Sequence, residues 1–229
     1  ASEGKMALEQ LASGLWCVAA QHHYFGMRIG ARMTIVRLPS GTLWLHSPVR
    51  IDAELGARID ALGPVGHIVC PNVFHHVYAG AAQARWPAAR THAPAALRAK
   101  RKDLRIDADL VDGKIPDWEG VLDGYTIRGS IIRETVFVHE PSRTLVSSDV
   151  TENFTHCDHA FTRLVLALGG VYRQVGWSKL LRWAYKDHPA ARASIDELLT
   201  RDFDRVIVGH GEIIERGGRE AIRQTFTFL

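Results

Sequence analysis

The 229-residue chain has no CxxC pair, and its three cysteines, Cys17, Cys70 and Cys157, stand far apart. A disulfide framework is therefore not encoded, and a reducing, cytoplasmic compartment is expected. The 229 residues show no basic–apolar–small pattern and no apolar run of bilayer-spanning length, so neither a secretory leader nor a transmembrane segment is expected. Charge of one sign is also scarce: 28 Lys and Arg against 25 Asp and Glu leave a formal charge of +3. Only Arg98-Ala99-Lys100-Arg101-Lys102 forms a basic run. It lacks interleaved aromatics and reads as a solvated helix face, so no nucleic-acid partner is expected. With 46% hydrophobic residues the chain can bury the core of a globular protein.

What the chain does have is histidine, twelve in all, several in pairs or at the ends of apolar runs. The run His67–Cys70 stops at Pro71-Asn72 and is followed by Val73-Phe74-His75-His76-Val77. Thr144-Leu145-Val146-Ser147-Ser148-Asp149 is a short apolar strand ending on a carboxylate. Arg205-Val206-Ile207-Val208-Gly209-His210-Gly211 ends on a histidine between two glycines. Open α/β sheets place ligands at the carboxyl ends of strands, so these three ends could converge on one metal ion.

Taken in order, residues 1–14 read as a frayed terminus or a short helix, and Leu15–Ala20 as a strand running into Gln21-His22-His23-Tyr24. Arg32–Leu38 and Thr42–Leu45 flank Pro39-Ser40-Gly41 as a hairpin. In 51–62, Ile51, Leu55, Ile59 and Leu62 share one helical face, and Gly63-Pro64 stops the helix. Further helices are expected at 80–86, 94–102, 158–168, 178–185, 189–199 and 219–228. Strands are expected at 88–92, 121–127, 134–139, 144–148 and 205–208. His139, before a Glu-Pro turn, reads as solvent-facing. Early mixed strands and intervening helices imply sheets covered by helices.

This order of motifs resembles the metallo-β-lactamase superfamily over nearly the whole chain, in a divergent branch with Pro-Asn-x-x-His-His in place of His-x-His-x-Asp-His. The resemblance implies an α+β fold, an αββα four-layer sandwich. It implies one domain over residues 1–229 with a helical insertion at about 154–187. Asn72, Phe74 and Val77 then stand where three histidines belong. His76 falls on the aspartate position and His75 on a variable one. Asp149 matches the strand-end aspartate and His210 the last histidine, and the turn near Arg128-Gly129-Ser130 carries no imidazole.

Read this way, His76, Asp149 and His210 are the expected ligands of one divalent ion, zinc or else manganese or iron, with His75 as a further candidate. On extended backbone the two adjacent histidines point to opposite sides, so one of them at most is expected to be a ligand. Asn72, Glu134, Asn153 and Trp177 are expected as supports or substrate contacts. The cluster His156-Cys157-Asp158-His159 reads as the N-cap region of the next helix. The stretch 177–186 has an apolar face of Trp177, Leu180, Leu181 and Ala184. It packs on the core, covers a hydrophobic substrate, or touches a membrane surface. Two functions stay open: a metal-dependent hydrolase of an unassigned small molecule, and an inactive module that keeps the fold, without metal, to bind a small molecule or partner.

Overall fold

The computed structural model describes residues 6–113, 115–179 and 181–229. The first half builds a seven-stranded sheet. Its members are β1 (Leu8–Ala12), β2 (Leu15–Ala20), β5 (Ala31–Arg37), β6 (Leu43–His46), β7 (Val65–Val69), β8 (Arg90–Ala93) and β9 (Ala108–Asp109), which lie side by side in that order. A small hairpin of β3 (His23–Tyr24) and β4 (Met27–Arg28) rises between β2 and β5. The second half supplies a four-stranded sheet of β10 (Leu122–Thr126), β11 (Thr135–His139), β12 (Thr144–Val146) and β15 (Arg205–Ile207). A short ribbon pairs β13 (Glu152–Asn153) with β14 (Val175–Gly176).

Alternation along the strands divides the core into three layers. In β6, Leu43 and Leu45 point one way and Trp44 the other; in β11, Val136 and Val138 oppose Phe137. Trp44, Phe137, Trp118, Val69, Val146 and Ile207 meet between the two sheets. Outside the first sheet, α1 (Ala53–Leu62) and α2 (Ala79–Arg85) lay Leu55, Ile59 and Ala82 on Met33, Ile35 and Ile68. The one-turn α3 (Leu97–Lys100) packs Leu97 beside Cys70 and Ala79. Outside the second sheet, α5 (His188–Leu199) and α6 (Gly218–Thr225) lay Ile195, Leu198 and Ile222 on Val138, Leu145 and Val206. Each face of each sheet is thus apolar and covered, as two packed sheets between helices require. Helix α4 (Ala160–Leu168) lies near β4, and the Arg28 backbone N–H donates to Thr162 Oγ1.

Several elements depart from the sequence reading. Residues 8–12 form an edge strand rather than a helix or frayed end, because Gly14 at φ 72° turns the chain back into a ladder with β2. The helix expected over 94–102 shrinks to one turn. The helix expected over 178–185 is instead a 3-10 turn at 181–184, and Leu180 lies outside the described residues. Trp177 and Ala184 are buried in the outer core of the second sheet. His139 is not solvent-facing: it is 1% exposed, with Nδ1 2.7 Å from Ser142 Oγ.

Pairing is parallel for β6 with β7 and for β12 with β15. The carboxyl ends of β6 and β7 therefore open at one edge of the first sheet, and those of β12 and β15 at one edge of the second. The segments leaving these four strands hold the candidate site.

Candidate metal centre

The loop after β7 takes its shape from Asn72, which is wholly buried. Its Oδ1 accepts the backbone N–H groups of Phe74 and His75, each at 2.8 Å. This is an Asx turn, in which a short side chain substitutes for a backbone acceptor. The turn swings the His75 ring inward. Its Nδ1 lies 2.6 Å from Ser47 Oγ, at the end of β6, and its Nε2 lies 3.1 Å from Asp149 Oδ1.

His76 consequently does not join this group, which corrects the expectation placed on it. The backbone is turned here rather than extended, and His76 leaves on the side of α3. There its Nδ1 accepts from Arg101 Nη1 at 2.8 Å. Burial, then Lys100 and Arg101, hold its pKa below the ordinary value, so it is a neutral acceptor satisfied by a guanidinium.

Asp149 follows β12. Its Oδ2 accepts Asn72 Nδ2 at 2.8 Å, leaving Oδ1 to the imidazoles. Behind it, Glu134 is 3% exposed and accepts the backbone N–H of Ser148 at 2.6 Å and of Asp149 at 2.8 Å. Burial and the neighbouring Asp149 charge push the Glu134 carboxyl up to about 8. Burial alone would raise Asp149 as well, but His75 and His210 outweigh it and hold that carboxyl far below its usual range.

His210 leaves β15 between Gly209 and Gly211. Its Nδ1–H donates to the Gly30 carbonyl at 2.9 Å, which fixes the tautomer and turns Nε2 to Asp149 Oδ1 at 3.4 Å. Burial opposes its charge, yet the Asp149 contact prevails and the pKa is raised. Gly209 is small of necessity: a Cβ there would stand 2.9 Å from both His75 Cε1 and the Ser148 carbonyl oxygen.

His75, Asp149 and His210 thus each offer one ligand atom, all within 4.8 Å of one another. Two imidazoles and a carboxylate suit zinc, manganese or ferrous iron. The 3.1 and 3.4 Å separations are close to the edge of a tetrahedron built on bonds of about 2.1 Å. Each imidazole is anchored through its other ring nitrogen, as ligating histidines are. The residues present fit a divalent ion.

The remaining sequence candidates lie outside this group. Asn153 donates Nδ2–H to the Glu212 carbonyl at 3.0 Å and bridges to Gly211, bracing the His210 turn. Trp177 Nε1–H donates to the Val150 carbonyl at 2.7 Å, behind Asp149. His22 is pushed below its ordinary pKa by burial, then by the positive potential of His210 and His75. His156 pairs with Asp158 at the surface and His159 caps α4. Phe74 and Val77 are exposed, and Ser130 accepts the Ile132 N–H. Ser47 and Gly30 were missed as anchors. Ser47 stood at a strand end beside His46, which was a usable signal. Gly30 carried none, because its role rests on a contact 180 residues away in the chain.

The solved structures to which the chain is similar share one architecture over their whole length. A metallo-β-lactamase from Pontibacter korlensis superposes with a TM-score of 0.70 at 14% identity, covering 98% of this chain and 100% of that one. The chain has the metallo-β-lactamase fold. FIM-1 from Pseudomonas aeruginosa, solved in its mono-zinc form, gives 0.67 at 14% identity, covering 99% and 96%. A metallo-β-lactamase from Erythrobacter litoralis gives 0.65 at 14%, covering 100% and 95%. Residues 13–96 match a family model described as a domain of unknown function, DUF4336. No curated protein matches the sequence. Within the metallo-β-lactamase fold, His75, Asp149 and His210 occupy the loops that leave β7, β12 and β15 at one end of the sandwich.

Proposed function

We propose that the chain is a metal-dependent hydrolase of a small-molecule substrate, with a mononuclear centre held by His75, Asp149 and His210. The observation that carries this reading is the convergence of three ligand atoms from three separate strand ends, with both imidazoles anchored from behind. Zinc is the ion of choice: the donor set suits it, and a structure with the same fold is a mono-zinc form. A bound divalent ion supplies Lewis acidity toward water or a substrate oxygen.

The protein's own groups do the rest. Ser47 and the Gly30 carbonyl orient the two rings, Asn72 holds the Asp149 carboxylate, and Glu134 can retain a proton near neutral pH behind it. The three cysteines are buried and unpaired, in keeping with a cytoplasmic, reducing setting. No helix among the described residues is long and apolar enough to cross a membrane. We take residues 1–229 as one domain, with 154–187 inserted between Asp149 and His210.

Metal content of protein purified without added metal, measured by mass spectrometry, tests the reading. About one ion per chain is expected, and His210→Ala should lower occupancy sharply, because a three-ligand site loses much of its binding free energy with one ligand. The same substitution should abolish turnover of whichever ester, lactam or phosphodiester the wild type hydrolyses, with circular dichroism unchanged. A wild type that takes up no zinc, manganese or iron overturns the metal centre, and a metal-loaded wild type that hydrolyses no such substrate overturns the hydrolase.

A further inference from the structure

A cavity of about 440 Å³ shares a wall with His210: Gly209 and Gly211 line it on either side of that residue. This volume lies in the range of small-molecule sites, roughly 300–1,000 Å³. Ile29 and Phe154 give it apolar surface, and Arg28 and Arg32 give it positive charge. Arg32 donates Nη1–H to the Val208 carbonyl at 2.5 Å and Nη2–H to the Gly211 carbonyl at 2.9 Å. Two neutral carbonyls satisfy donors but do not balance a charge. Among the described residues Arg32 forms no ion pair, and its burial outweighs the influence of the neighbouring Cys17 thiol and of the Glu9 and Glu212 carboxylates. A partly buried cation without a counter-ion is costly to keep. The carboxylate in the cavity wall, Asp158, is turned to solvent and paired with His156 at 2.6 Å. The wall is therefore positive where it meets the His210 turn.

We propose that this cavity is an anion-binding subsite, and that the substrate of the metal centre is an organic anion. Its carboxylate or phosphate docks on Arg32 and Arg28, and its apolar body rests on Ile29 and Phe154. This rests on the hydrolase reading for the word substrate, but the anion site itself does not need the metal. Arg32 also clamps the His210 turn, so clamp and docking must be separated by charge. A lysine at position 32 keeps the charge and cannot bridge both carbonyls.

The test uses metal-free protein, stripped with a chelator and titrated with inorganic phosphate and with acetate at ionic strength held constant with sodium chloride. Calorimetry and thermal melting give the readout. At least one probe should raise the wild-type melting midpoint, and the stronger of the two identifies the anion class. Arg32→Met and Arg28→Gln should each weaken that probe about tenfold, the worth of one charge-assisted contact, and Arg32→Lys should recover part of the loss. Should Arg32→Met not fold, Arg28→Gln carries the same comparison. His75→Ala should still bind the probe, since the site lies beside the metal ligands and not among them. The proposal fails if neither probe stabilises wild type, or if both arginine variants bind as wild type does. Zinc uptake without anion binding removes the subsite and leaves the metal centre. Anion binding without zinc uptake does the reverse.

Discussion

Which of two adjacent imidazoles serves the site is decided by one buried amide. Asn72 uses its oxygen to turn the loop and its nitrogen to hold Asp149, so a single side chain sets the positions of two of the three ligands. Asn72→Ala should cost about 2–3 kcal/mol of stability, from two orphaned backbone donors and a carboxylate oxygen, Asp149 Oδ2, left without its partner. It should also weaken zinc binding about 10–100-fold, as loss of a ligand's support typically does. Urea unfolding and competition against a chelator measure the two effects. Zinc affinity equal to wild type in a destabilised variant would mean that the turn stabilises the loop without orienting His75.

At the level of elements, the site depends on how closely the turn after β15 approaches the segment after β12. A methyl group on Gly209 would press on backbone atoms of Ser148 and on the His75 ring, and backbone cannot move aside cheaply. Gly209→Ala is expected to cost about 1–3 kcal/mol by overpacking and to displace His75, lowering zinc affinity. Gly217 at the start of α6 is the comparison: its φ is 72°, and a Cβ there meets nothing within 4 Å. Gly217→Ala should cost about 1 kcal/mol of backbone strain and leave zinc affinity intact. Equal zinc affinity in the two variants would exclude the crowding argument.

For the molecule as a whole, the inter-sheet core is unusual in burying imidazoles. His46, His92 and His139 are each no more than 2% exposed. Burial lowers His46 to about 3 and His92 and His139 to about 4. Above the ordinary histidine pKa of about 6.5 they are neutral in both folded and unfolded states. Below it the unfolded chain takes up protons that the folded chain refuses, so these groups withdraw stability as pH falls from 6.5 toward 4. Glu134, raised to about 8, and Glu152, raised to about 7, act oppositely, because the folded state keeps protons that the unfolded chain has released. The global curve therefore mixes signs, and a single-site comparison is cleaner. His139→Gln should flatten the decline of stability between pH 6.5 and 4.5 by up to about 1.4 kcal/mol per pH unit. Parallel stability–pH curves for wild type and variant, from denaturant melts, would show that His139 is not held neutral.

Much of this protein could be read locally. Alternation and 3.6-residue periodicity marked most strands and the long helices, because each must bury one face regardless of what it packs against. Apolar runs ending on Asp149 and on His210 between glycines were visible for the same reason: strand ends are where polar side chains leave the core. What only the tertiary structure decided depended on partners distant in sequence. Residues 8–12 are a strand because β2 offers a ladder, and 181–184 is a 3-10 turn because Trp177 and Ala184 are anchored in a core assembled by α5 and α6. His139 is buried by the pairing of the two sheets. His75 rather than His76 faces Asp149 because the Asn72 amide outcompetes extended backbone for the loop's N–H groups. His210 is aimed by the Gly30 carbonyl, in the connection that enters β5, and Arg32 of β5 meets the same turn. Periodicity specifies which side of an element is apolar. Hydrogen bonds across the fold specify which polar group is turned toward the site.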